Sequence, residues 1–182
     1  MPGGGKSTVG RHLARRIGLP FTDADAVVEE RIGTSIRSFF EQQGEDAFRD
    51  VEQQVLDDLT LGPRGVIATG GGAVLREANR RTLRERCTVI YLRSAPEDLA
   101  RRMRHDTQRP LLQVTDPLAK LREMYALRDP LYRETAQFIV DTGKPSVPML
   151  VNRVLMQLEL AGLVLEPRPD EPPSPNGPPR RS

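Results

Sequence analysis

Tryptophan is absent from this 182-residue chain, and five Phe and three Tyr are its whole aromatic complement. A core must therefore be assembled from Leu, Val, Ile and Ala. Cys87 is the single cysteine, which excludes an intrachain disulfide scaffold and suits a reducing compartment. Nowhere do about 18 uncharged apolar residues run together, so no transmembrane helix is expected and membrane partners are set aside. The N-terminus also lacks the charged, apolar and small-residue sections of a signal peptide, and the expected location is cytoplasmic. Charge of one sign is missing as well. Against 27 Lys and Arg stand 25 Asp and Glu, a net charge of +2, and the basic residues are scattered, so no nucleic-acid partner is expected. His12, His105 and Cys87 show no metal-ligand spacing and read as structural or incidental.

The length suits one compact domain, placed at residues 1–165. From Glu166 to Ser182 (EPRPDEPPSPNGPPRRS) there is no aromatic or branched aliphatic residue and proline recurs. Such a stretch cannot bury enough apolar area to offset its ordering entropy, so it reads as a disordered tail. Before it, helical and extended patterns alternate. Helices are predicted over Ser7 to Ile17, Asp25 to Ile32, Ile36 to Gln43 and Glu45 to Leu61, three of them stopped by Gly18, Gly33 and Gly44. Further helices are predicted at about Glu77 to Arg86, Pro96 to Arg104, Leu118 to Leu127 and Val147 to Ala161. Between helices lie Pro20 to Asp23, a short extended entry, and the apolar runs Val66 to Thr69, Val89 to Leu92 and Phe138 to Val140. Short, β-branched and flanked by helices, these runs mark a parallel sheet covered on both faces, and the order is α/β.

The chain opens MPGGGKST. Gly5, Lys6 and Ser7 match the second half of the phosphate-loop pattern, in which glycines let successive backbone N–H groups turn inward around phosphates. The helix that follows points its positive N-terminal end at the same place. Gly3, Gly4, Gly5 and Thr8 would contribute backbone or hydroxyl contacts, Lys6 a mobile charge for the outer phosphates, and Ser7 a hydroxyl for Mg2+. The pattern's first glycine, and the strand that delivers the loop, would fall ahead of Met1. The expectation is that the natural protein starts upstream and that the central strand is missing from this chain. A merely flexible glycine terminus is the alternative.

Several separated motifs stand downstream: DAD at Asp23 to Asp25, FR at Phe48-Arg49, ATGGG at Ala68 to Gly72, RPLL at Arg109 to Leu112 and RDPLY at Arg128 to Tyr132. With GGGKSTVGRHLA, and in this order, they resemble the shikimate kinases over Met1 to about Ala161. The resemblance implies a three-layer α/β/α fold of the phosphate-loop nucleoside monophosphate kinase type. It implies transfer of a phosphoryl group from ATP to the 3-hydroxyl of shikimate, in aromatic amino-acid biosynthesis, by a monomer using Mg2+. By the same resemblance Asp23 holds Mg2+ through water, and Asp25 binds the acceptor hydroxyls and is a candidate base. Arg49 and Arg128 bind the acceptor carboxylate, a task suited to the planar guanidinium fork. Gly70, Gly71 and Gly72 approach a substrate oxygen through their backbone. An acceptor-binding region is placed at about 24–52 and a lid at about 105–117. Arg109 would swing from the lid onto the transferring phosphoryl, while Arg102 would stack on adenine above a loop holding Lys144 and Pro145.

Blander readings stand beside these. Asp23 and Asp25 can simply cap a helix, and an arginine on a helix is often only a solvated face. Two carboxylates two residues apart on an extended segment would project the same way and reach metal and acceptor together. Among functions, the rivals are another small-molecule kinase, such as a gluconate kinase, and an inactive truncated nucleotide-binding module.

Overall fold

The computed structural model describes residues 5–103 and 115–163. Helix α1 (Lys6–Arg16) buries Val9, Leu13 and Ala14, residues spaced to share one helix face. Strand β1 (Phe21–Asp23) follows, then α2 (Ala24–Ile32) and α3 (Ile36–Leu61). Gly44 interrupts α3 with φ 83° and ψ 172°, a conformation that side chains with a Cβ rarely adopt. The two helices expected on either side of Gly44 thus meet at this kink. Next come β2 (Val66–Ala68), a 3-10 turn (Ala73–Leu75), α4 (Glu77–Arg86), β3 (Ile90–Arg93) and α5 (Pro96–Met103). After the undescribed segment stand α6 (Pro117–Thr135), β4 (Phe138–Asp141) and α7 (Val147–Leu160).

Two of these elements correct the sequence reading. The sequence pattern predicts that helix α6 stops near Leu127, and Pro130, which removes a backbone N–H and crowds the preceding turn, lies just beyond. The helix instead continues to Thr135. Leu121 and Tyr132, on either side of the proline, are buried in one apolar cluster with Tyr91, Leu99 and Met103, and that burial offsets the ~3 kcal/mol that an interior proline costs. The 3-10 turn was not expected at all, since three residues carry no periodicity to read.

The strands pair in parallel as two separate couples. β1 lies beside β2 in the register Thr22 to Ile67, and β3 beside β4 in the register Tyr91 to Ile139. Side chains alternate between the two faces as the pleat demands. Val66, Ile90 and Leu92 face the cluster built by Val9, Leu13, Val140, Val151 and Val154 under α1 and α7, whereas Tyr91 joins the opposite cluster with α5 and α6. Between the couples runs a cavity of about 580 Å³, lined by Val9 and Leu13 of α1, Ile67 and Ala68 of β2, and Ile90 and Leu92 of β3. Among the described residues no strand pairs across it. The parallel sheet read from the sequence is therefore present as two halves flanking an apolar slot. No helix among the described residues is long and apolar enough to cross a membrane.

Candidate active site

Three chain ends converge above the carboxyl ends of β1 and β2: the start of α1, the start of α2 and the glycines that follow Ala68. Open parallel sheets commonly seat ligands at such edges. Gly5 caps α1 with φ 71° and no side chain closes that end, so the helix presents its first backbone amides to the site. Lys6 and Ser7 are half-buried there and Thr8 is exposed. Gly3, Gly4 and Arg109 lie outside the described residues, as do most of the expected lid and the tail from Glu166 to Ser182.

Asp23 caps α2 and at the same time accepts a hydrogen bond from Ser7. Its Oδ1 accepts from the backbone N–H of Asp25 at 3.0 Å, capping α2, while its Oδ2 accepts from Ser7 Oγ at 2.9 Å. That division corrects one expectation. Asp23 ends β1 but Asp25 already sits in the first turn of α2, so the pair is brought together by the cap and not by an extended backbone. Burial pushes the Asp25 carboxyl above its ordinary range, and the Asp23 charge adds to this, while Lys6 draws it back. Asp25 also lies against Gly70, where a Cβ would stand 2.7 Å from Asp25 Oδ1.

On α3, Arg49 is 9% exposed. Its Nη1 donates to Glu52 Oε2 at 2.7 Å, and its Nη2 and Nε donate to Glu45 Oε1 at 3.3 Å. Phe48 lies under the guanidinium, 5.0 Å away. The guanidinium fills the space in which a Gly72 side chain would sit. Burial raises the Glu52 carboxyl, with the Arg49 hydrogen bond opposing. Arg128, half-buried on α6, has a buried Nε with no hydrogen-bond partner in the structure. The Tyr132 hydroxyl, one turn further along α6, donates to the Gly71 carbonyl.

The structure thus brings Ser7, Asp23, Asp25, Arg49, Gly70, Gly71 and Gly72 together. The sequence reading missed Glu52 and Tyr132. A glutamate three residues after a helical arginine was the available signal for the first, and the last residue of RDPLY for the second. Arg102 lies beside the loop expected to hold adenine. Its Nη2 donates to the carbonyls of Thr142 at 2.5 Å and Gly143 at 3.4 Å, so it ties α5 to the loop that carries exposed Lys144 and half-buried Pro145. Thr142 is itself buried against Ser94, which fixes the loop's root.

Ser7 and Asp23 offer hard oxygen donors side by side, and the described residues contain no group of three or more His, Cys, Asp or Glu side chains able to hold a metal. Such a sparse donor set fits Mg2+, which keeps several of its waters and shares substrate phosphates. A cap-free helix start beside a lysine, a raised carboxyl, and an arginine held rigid by a buried glutamate together suit an anionic donor and a hydroxylated, carboxylated acceptor.

Known proteins agree with that chemistry. The shikimate kinase family model matches residues 2–159. The shikimate kinase of Ralstonia nicotianae is 57% identical over 172 residues, covering 94% of this chain and 90% of that protein. That of Paracidovorax citrulli is 56% identical over 179 residues, or 96% and 93%. Among solved structures, shikimate kinase from Acinetobacter baumannii in complex with shikimate superposes with a TM-score of 0.82 at 43% identity, covering 88% of this chain and 89% of that one. With the motifs in register, the fold in agreement and the match running almost end to end, this chain belongs to the shikimate kinase family.

Proposed function

We propose that residues 1–165 form one catalytic unit that transfers the terminal phosphoryl group of ATP to the 3-hydroxyl of shikimate, with the labour divided as the site suggests. Asp25 takes the proton of the attacking hydroxyl. The hydroxyl oxygen bonds to phosphorus as the bond from phosphorus to the bridging oxygen breaks, and ADP leaves. Phosphoryl transfer needs placement and positive charge more than covalent help. Lys6, the first amides of α1 and Arg109 supply that charge, while Arg49 and Arg128 grip the acceptor carboxylate and Gly70 to Gly72 bring backbone donors to its oxygens. Mg2+ would be held by Ser7 directly and by Asp23 through water, and when bound it neutralises charge on the phosphates. Arg102 braces the loop of Lys144 and Pro145, which carries the adenine. The enzyme works as a cytoplasmic monomer.

The observation that carries this reading is the placing of Arg49. It is a cation buried against Gly72 on the rim where Asp25 meets Gly70, so one small acceptor can meet both. A coupled assay of ADP release tests it: turnover requires shikimate, and gluconate stays inert. Turnover with gluconate alone would replace the assignment, and none with either acceptor would favour the inactive nucleotide-binding module. Gly72→Ala provides a sharper check. Its Cβ falls on the Arg49 guanidinium, so the arginine must leave its charge-assisted bonds, and KM for shikimate should rise about 10-fold or more with KM for ATP unchanged. A wild-type KM for shikimate would show that Arg49 is not the carboxylate anchor.

A further inference from the structure

All six carbonyls from Gly70 to Leu75 are engaged. Gly70 O accepts from Ala73 N at 3.2 Å and Gly72 O from Leu75 N at 3.1 Å. Asn79 Nδ2, on a buried side chain, donates to Ala73 O at 3.0 Å. Arg80 Nη1 reaches Val74 O at 2.8 Å and Leu75 O at 3.3 Å. The Tyr132 hydroxyl takes Gly71 O. Of these donors, only Tyr132 comes from α6. A trans peptide carries its C=O and N–H in opposite directions within one rigid plane. Fixing the Gly71 carbonyl therefore fixes the direction of the Gly72 N–H, on the side away from Tyr132. Gly72 is the residue on which the Arg49 guanidinium rests.

We propose that Tyr132 is a positioning residue for the acceptor: its hydroxyl locks the Gly71–Gly72 peptide and joins that donor to Arg128, one turn away on α6, so that the carboxylate grip and the glycine donors move as one unit. The proposal rests on the acceptor assignment made above. Arg128 lies beside the same hydroxyl and stabilises its ionised form, but burial is the larger effect and raises the phenol's pKa. The hydroxyl thus remains a protonated donor across the working range. Its ring is clamped against Tyr91, 4.7 Å between centroids, and sits in the α5–α6 cluster. The aromatic body is thus core, and the single oxygen is what serves the site.

Tyr132→Phe keeps the body and deletes the oxygen. KM for shikimate should rise about 10-fold while KM for ATP stays within about twofold, since one orienting hydrogen bond is lost on the acceptor side only. Amide hydrogen exchange should accelerate about 10-fold at Ala73 and Leu75, whose N–H groups close the turn on the Gly70 and Gly72 carbonyls, and remain unchanged along α7. Tyr91→Phe is the control. It removes a comparable bond, from the Tyr91 hydroxyl to Asp129 at 3.0 Å, from the same cluster without touching the glycines, and should leave both readouts as in the wild type. Equal effects of the two variants, equal rises in both KM values, or unaltered exchange at Ala73 and Leu75 would each overturn the proposal. Should wild-type protein fail to turn over shikimate, the acceptor assignment falls instead, and the exchange readout alone still decides whether Tyr132 locks the turn.

Discussion

Asp25→Asn should lower kcat by roughly 10²- to 10⁴-fold, the usual cost of deleting a positioned general base. The amide preserves size and can still bond the acceptor hydroxyl, so KM for shikimate should change far less than kcat. Burial and the neighbouring Asp23 charge hold the Asp25 carboxyl above the ordinary carboxylate range near 4. The acid limb of kcat/KM in the wild type should accordingly lie above that range, with activity lost as pH falls through the raised value. Stability runs the other way. A carboxyl whose folded pKa is raised contributes stability that is present below its unfolded pKa and lost as pH rises through the folded one. The ionised group is then a burden at neutral pH, and Asp25→Asn should melt no lower than wild type at pH 7 while being nearly inactive. A stable, fully active Asn variant would remove Asp25 from the chemistry.

Arg49→Ala should reduce kcat/KM for shikimate at least about 30-fold, because a carboxylate that loses a bidentate partner in an enclosed site forfeits about 2 kcal/mol or more. The same substitution strands Glu52, 3% exposed, without the guanidinium that donates to it at 2.7 Å. Breaking a buried ion pair from one side typically costs about 3–5 kcal/mol. A fall in activity alone would thus confuse binding with folding, and Arg49→Lys separates them. The ammonium still pairs with Glu52 but cannot offer a planar fork, so the melt should be restored and the shikimate defect largely kept. The affinity for ATP should hold in both variants. Wild-type kinetics in either would refute the carboxylate assignment.

How far the sequence could be read follows from where each signal resides. Helix boundaries such as Glu77 to Arg86 and the stops at Gly33 and Gly44 are local, set by spacing and by glycines with φ 70° and 83°, and these were legible. The short strands were legible because β-branched runs between glycines have few other uses. The far end of α6 was not legible, since the burial of Tyr132 beside Leu121 that carries the helix past Pro130 is a tertiary contact. At the site, motif residues could be placed because each has a fixed neighbourhood along the chain, as Asp23 has with Asp25. Glu52 needs only a helical turn to find Arg49, whereas Tyr132 finds Gly71 across 61 residues, a pairing that no pattern along the chain announces. Arg102 likewise reaches the Thr142 carbonyl across 40 residues, a contact with the expected nucleotide loop that no local spacing announces.

The two strand couples carry different parts of the proposed site. Asp23 and Gly70 to Gly72 ride on the β1–β2 plate and its extensions, while the loop from Thr142 to Pro145 rides on the β3–β4 plate. No strand hydrogen bond ties plate to plate among the described residues, so α1, packed against β2 and α7, and α6, packed against the 3-10 turn and α5, are the tie-bars. On the assignment proposed above, the acceptor rides on the first plate and the nucleotide's loop on the second, so α1 and α6 are the elements through which occupancy of one site reaches the other, and by reciprocity any such effect is felt equally in both directions.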